Sequence, residues 1–212
     1  TITNRNYLLF CYIISFENNE YEKENELKTS RLNREIVIDC AMGLVCESGI
    51  DGLRLNKIAD RLEVKSPSLY THTGSVTELR QAVVERAMED FRELLVDSLM
   101  GRSNLCAFVE LGKTWACYAK DQNAFYTVFY EKGYIDSYKK SISAFLRAAF
   151  NRIFFECELS DQEVIQVERV MTNYFRGHAE GFADNSISEK DLVSDLEIIY
   201  NGVLKNFMKV SQ

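Results

Sequence analysis

The sequence predicts an all-α chain, with a three-helix head carrying a helix-turn-helix and a larger helical C-terminal domain behind it. Three observations carry that expectation. The 212 residues include only 10 Gly and 1 Pro, and no alternating β-branched runs bounded by turn pairs mark out strands. Apolar residues recur instead at intervals of three and four, behind Ser-x-x-Glu starts that suit helix amino ends. A composition that is 46% hydrophobic and 12% aromatic can bury a substantial core.

The elements follow in order. Residues 1–27 form a leader of uncertain order. Within it the apolar run Tyr7–Phe16 is too short to span a bilayer and lacks a basic flank or cleavage site. The acidic stretch from Glu17 to Glu26 reads as solvated chain. No membrane association is expected. A first helix is marked by Ile36, Val37, Cys40, Ala41, Leu44 and Val45, and Ser48-Gly49 stops it. A short second helix covers about Leu55–Leu62, with Ile58, Ala59 and Leu62 on one face, and Glu63-Val64-Lys65 makes a turn. Ser66 then stands as a cap and Pro67, the one proline, suits the first helical position, so a third short helix begins there. Two short helices joined by three residues can lay the second in the DNA major groove while the first crosses the backbone.

Ser75-Val76-Thr77-Glu78 reads as a capping box opening a long amphipathic helix through Leu79, Val83, Ala87, Phe91, Leu94 and Leu95. After a break at Gly101–Asn104, Leu105, Phe108, Gly112, Trp115, Ala116 and Ala119 define another helix. A short one carries Phe125, Tyr126, Phe129 and Tyr130 up to Gly133. A further helix runs from Asp136 to about Glu156. Ser160-Asp161-Gln162-Glu163 is a second capping box, ahead of Val164, Val167, Met171, Tyr174, Phe175 and His178, and a last helix begins near Ser188. The expected domains are thus the leader 1–27, the head 28–80 and the body 81–212.

The net charge of −7 speaks against a nucleic-acid partner only until it is resolved by segment. Residues 28–80 carry 8 Lys+Arg against 7 Asp+Glu, whereas the leader stands at −3 and the body at −5. The head is the one segment that is not acidic. There Lys65, Ser66, Ser68, Tyr70, Thr71 and His72 occupy the start and exposed side of the recognition helix, suited to phosphate and base edges. Arg54 and Lys57 would meet backbone from the second helix, and Arg31 or Arg34 from the first. Tyr70 has a second reading as partial core and His72 as a helix-end cap. Lys57 and Lys65 also read as plain solvated charges.

In the body, Phe108, Trp115, Phe125, Phe129, Phe150, Phe154, Met171, Tyr174 and Phe175 read either as core or as the lining of a pocket for a flat apolar ligand. His178 is a polar anchor within it or an interface histidine. The last two helices, apolar on more than one face, suggest a four-helix dimer interface.

These residues carry a family resemblance. The stretch from Arg34 to Arg80, with Glu47-Ser48-Gly49, Ile58-Ala59, Val64, Leu69-Tyr70-Thr71-His72 and Glu78-Leu79, resembles the DNA-binding domain of the tetracycline-repressor (TetR) family. Trp115–Ala119, Asn123–Tyr126 and Phe175–Phe182 resemble the C-terminal domain of its WHG subgroup. The resemblance implies a cytoplasmic homodimer that binds double-stranded DNA at a pseudo-palindromic operator, represses, and is released by a small-molecule effector. Arg54 stands where the family usually places Ser or Thr, Glu63 where it places Gly, and Val76 where many members carry Lys.

No enzyme is expected. The chain has two histidines, His72 and His178, no HExxH, no glycine-rich phosphate loop and no paired carboxylates. No cofactor and no metal site are expected either. The six cysteines (11, 40, 46, 106, 117 and 157) are scattered without CxxC spacing and read as reduced thiols. A thiol redox sensor remains an alternative, though Cys106 and Cys117 lie about 16 Å apart along one helix, too far to bridge. A TetR-like scaffold that pairs with protein rather than DNA is the other.

Overall fold

Every regular element in the computed structural model, which describes residues 32–208, is helical. The leader 1–27, Arg31 and Cys11 lie outside the described residues. Helix α1 (Arg34–Ser48) opens where the Asn33 side-chain carbonyl accepts the Ile36 amide at 2.9 Å. It closes at Gly49, whose φ of +70° lets its amide donate back to Val45 at 2.8 Å. A 3-10 turn (Ile50–Gly52) leads to α2 (Leu55–Arg61) and α3 (Ser66–Thr73). The head closes over Val37, Ala41, Leu44, Val45, Leu53, Leu55, Ile58, Ala59 and Leu69, all buried.

The body begins with α4 (Val76–Ser98), whose capping box forms as its sequence requires. Ser75 Oγ accepts the Glu78 amide at 3.1 Å and the Glu78 carboxylate accepts the Ser75 amide at 2.7 Å. Then come α5 (Asn104–Asp121), α6 (Asn123–Tyr126, running on as a 3-10 turn Thr127–Tyr130), and α7 over residues 135–153. Helix α7 is composite: an α turn Ile135–Tyr138, a π turn Lys139–Ser143 and an α segment Ala144–Ile153. Helices α8 (Asp161–Ala183, behind the Ser160/Glu163 box) and α9 (Glu189–Phe207, behind Ser188) complete it.

Helix α5 is the axis of the body, flanked by α4, α7, α8 and α9. Its large apolar side chains leave no exposed face: Phe108, Leu111 and Trp115 are wholly buried. Each such side chain contributes about 1.5–3 kcal/mol of transfer free energy. Two hydrogen bonds fix its rotation, Trp115 Nε1 to Tyr126 Oη at 2.8 Å and Tyr118 Oη to the Ala87 carbonyl at 3.1 Å. From Val37 onward the chain forms one compact unit, so α4, which starts beside the recognition helix and ends in the body, is a structural continuation of both.

The structure alters three local expectations. Ser66 does not cap α3; Lys65 holds the cap position without a side-chain bond and Ser66 is the first helical residue. The helix expected unbroken from Asp136 contains the π turn, and past Ile153 the chain reaches Cys157 as a 3-10 turn.

Candidate nucleic-acid interface

The geometry of the head follows from one backbone reversal. Glu63 takes φ +53°, which turns the chain so that the Val64 amide donates to the Ala59 carbonyl at 2.9 Å. Val64 is then half-buried, and α3 lies against α2 through Leu69, Ile58 and Ala59. Burying Leu69 settles which residues face out. Lys65, Ser68, Tyr70 and Thr71 are exposed, Tyr70 at 56%, and Ser66 and His72 are half-buried. A phenol that exposed is not core, which leaves Tyr70 on the outer surface of the head. Thr71 Oγ1 donates to the Ser68 carbonyl at 2.8 Å, which orders the exposed side of the helix. The amino end of α3 has no side chain bonded to it and stands beside exposed Lys65, so its dipole and the Lys65 ammonium together suit a phosphate oxygen, although Pro67 carries no N–H and the Ser68 amide already donates to the Lys65 carbonyl at 2.9 Å.

Lys57 is exposed on α2, and Arg34 is exposed at the start of α1. Arg54 is exposed too, but its guanidinium folds back onto the chain. It donates to the Leu53 carbonyl at 3.0 Å and to the Asp51 carbonyl. Its free donors are fewer than sequence position alone suggests. Arg61, absent from the sequence-derived set, has a bracing role: it bonds Glu47 at 2.8 Å and ties α2 to the end of α1. That bond holds the Glu47 carboxyl below its ordinary range.

Arg80 joins head to body. From the first turn of α4, it reaches the Asp51 carbonyl at 3.4 Å, and its charge also acts on Tyr134 ahead of α7. Nearby, Gln81 Nε2 donates to Glu85 Oε1 at 2.8 Å and to Ser137 Oγ at 3.0 Å, while Ser137 Oγ donates to Glu85 at 2.9 Å. Helix α4 is thus clasped to α7 one turn beyond its contact with the head. Sequence reasoning missed Arg80 and the clasp because their partners lie 29 to 56 residues away.

In the body the aromatic set comes together. Phe108 meets Phe150, Phe154 and Phe175 at ring separations of 5.6–6.4 Å, and Trp115 meets Phe175 at 5.4 Å. Phe125, Phe129 and Met171 are buried with them. These rings fill one another's space, and the two principal surface grooves touch none of the set. Tyr174 and His178 lie at the margin, their rings 4.0 Å apart, with His178 Nε2 3.0 Å from Asp195 on α9 and Tyr174 Oη buried without a partner. A polar seam that the sequence did not suggest runs through the same layers. It comprises Trp115, Tyr126, Tyr130 under the Arg176 guanidinium, and buried Glu168, which accepts from Thr172 and faces Arg147 at 3.6 Å.

Burial pushes the Cys40 and Cys117 thiols up to about 11 and raises Cys157 as well. All three stay protonated near neutrality and are poor nucleophiles. Among the described residues no helix is long and apolar enough to cross a membrane.

Comparison with known proteins agrees with this architecture. No family model matches the chain. It is 30% identical over 102 residues to the uncharacterized HTH-type transcriptional regulator Rv0681 of Mycobacterium tuberculosis, covering 48% of this chain and 47% of that protein. It is 46% identical over 54 residues to the class D tetracycline repressor protein of Escherichia coli, covering 26% of this chain and 25% of the repressor. The chain therefore spans about half or less of the curated relatives it matches. The crystal structure of a tetR-family transcriptional regulator from Streptomyces coelicolor superposes with a TM-score of 0.63 at 13% identity, over 82% of this chain and 80% of that one. This likeness shows the fold, an all-helical chain with a small amino-terminal head and a larger C-terminal domain. The curated proteins it matches are named as transcriptional regulators and tetracycline repressors, each matched over half of its length or less.

Proposed function

We propose that this TetR-type chain acts as a homodimer which holds a pseudo-palindromic operator with its paired α3 helices and leaves DNA when a small, largely apolar ligand enters the body. The observation that carries the reading is the outward row of α3: Lys65, Ser68, Tyr70 and Thr71 all exposed on a helix whose other face, at Leu69, is wholly buried. Such a row combines a phosphate-binding cation, hydroxyls that reach base edges or backbone, and an aromatic side chain. His72, Ser66, Lys57 and Arg34 flank it, with Arg54 contributing whatever donors its carbonyl bonds leave free. The dimer is supported by the outer faces of α8 and α9. There Val170 and Ile198 are exposed, and Gly177 and Gly202 have open space where a Cβ would stand, so a second helix can approach closely.

Two such helices must reach successive major-groove faces about 34–36 Å apart. A ligand that prefers a different spacing lowers DNA affinity by its differential affinity for the two arrangements. The ligand would lodge in the aromatic layer of Phe108, Trp115, Phe125, Phe129, Phe150, Phe154, Met171 and Phe175, edged by Tyr174 and His178. The rings must part to admit it.

The test is binding of the purified protein to the DNA upstream of its own gene against a scrambled duplex, over a salt series. Sequence-selective binding with a steep salt slope, weakened in Lys65→Ala and Tyr70→Ala, is the expected result. Binding no better than to the scrambled duplex sinks the operator reading for that promoter and favours a scaffold that pairs with protein.

A further inference from the structure

A second site lies outside the aromatic layer. Between α4 and α7 a surface groove of about 580 Å³ is lined by Glu85, Met88, Glu89, Arg92, Lys140 and Ser141, with Ser137 and Phe145 at its sides. That volume is in the range of small-molecule sites. Its wall on α7 is the π turn, to which Lys140 and Ser141 both belong; such turns widen a helix and interrupt its bonding pattern.

The hydrogen-bonding state of the lining selects the ligand. Three of the four carboxylate oxygens are engaged. Glu85 Oε1 receives both Gln81 and Ser137, and both oxygens of Glu89 are held by Arg92. The donors on α7 are not. Lys140 is exposed and in no ion pair among the described residues, and Ser141 Oγ is buried with no hydrogen-bond partner. An unmade bond at a buried hydroxyl is costly and is retained where something completes it. A partner that brings acceptors and negative charge would complete the Ser141 hydroxyl and pair with Lys140. It would also bring an apolar portion for buried Met88 and half-buried Phe145.

We propose that the α4–α7 groove binds an amphipathic carboxylate, its head on Lys140 and Ser141 and its chain over Met88 and Phe145. Glu85 and Ser137 form both the groove lining and the clasp that fixes α4 beside Arg80 and the head. The bound ligand would lie beside the clasp, and its effect on DNA binding rests on the regulator reading above, whereas the binding itself does not.

Decanoate is the probe, with decanol and decyltrimethylammonium as controls, titrated calorimetrically into the full chain without DNA. Decanoate is expected to bind best and to weaken by about tenfold or more in both Lys140→Glu and Ser141→Val, with Lys140→Arg retaining affinity. Circular dichroism melts confirm that each variant is folded. Arg152→Ala, which removes an exposed cation elsewhere on α7, is expected to leave decanoate affinity unchanged. Equal binding of decanol, indifference to both Lys140→Glu and Ser141→Val, an equal loss in Arg152→Ala, or no decanoate binding would each overturn the proposal. DNA binding of the same variants is measured in parallel. A chain that takes up decanoate but binds no operator fails the regulator reading and leaves this one standing.

Discussion

Glu63 and Gly74 bracket the recognition helix, and both sit at positive φ, +53° and +63°. For an L-residue the left-handed region costs about 1–2 kcal/mol, whereas glycine enters it freely but loses more chain entropy on folding, about 0.4–1 kcal/mol. At Glu63, exposed on the surface, the first effect exceeds the second. Glu63→Gly is therefore expected to stabilise the protein by about 0.5–1 kcal/mol, read as a raised denaturant midpoint with unchanged slope. An unaltered or lowered midpoint would show that the turn is not strained. Gly74 is the converse. A Cβ there would stand 2.3 Å from Glu78 Oε2, so Gly74→Ala adds backbone strain and also dislodges the carboxylate that caps α4. The expected loss is about 2–3 kcal/mol, the strain and the cap together. If the Gly74→Ala and Glu78→Ala losses proved fully additive in the double variant, the two residues would not share the cap.

Among elements, those whose boundaries are encoded next to them are legible in the sequence alone. Ser75 with Glu78, Ser160 with Glu163, Pro67 and Gly49 each act within four residues of the terminus they set, and α4, α8, α3 and the end of α1 stand where those residues place them. The π turn of α7 is not legible, because no local residue demands it. The fold-back of Arg54, the Trp115–Tyr126 bond and the α4–α7 clasp depend on distant packing. For the candidate interface, residue type alone does not choose between an inward and an outward Tyr70; the burial of Leu69 decides it. The α1–α2 bracket offers a test at this scale. Because Arg61 lowers the Glu47 carboxyl from its ordinary 4.5, the pair stabilises the head above that value and loses its contribution as pH falls through the lowered one. Wild type is expected to melt slightly higher than Glu47→Gln at neutral pH, by an amount worth less than about 1 kcal/mol for so exposed a pair. The two curves should converge as pH falls below the lowered value. A gap that persists in acid would assign the effect to packing rather than charge.

At the scale of the whole molecule, the two functions proposed place opposite demands on the body. Its core must hold α4 rigidly enough to set the separation of two recognition helices, yet yield when a ligand arrives. Close packing around α5 meets the first demand: at Gly112 a Cβ would stand 2.6 Å from Leu196, so α5 and α9 meet as closely as helices can. The second demand falls on the margin, where Tyr174 Oη and Ser141 Oγ lack partners and the polar seam around Glu168 interrupts the apolar layers. Both demands presuppose a partner subunit, since one head alone has no spacing to change. Ile198, 65% exposed on α9 and one turn from Gly202, lies on the face a partner would cover. Ile198→Glu puts an unpaired charge there while leaving the monomer's buried residues Leu192, Leu196 and Tyr200 untouched. Sedimentation is expected to show a dimer for the wild type and a folded monomer for the variant. Operator affinity should fall by about a hundredfold or more, because the second half-site then binds independently rather than at high effective concentration. A variant that stays dimeric with operator affinity intact would move the dimer off α8 and α9. One that becomes monomeric yet binds DNA as before would show that a single head suffices, and the spacing mechanism would fall with it.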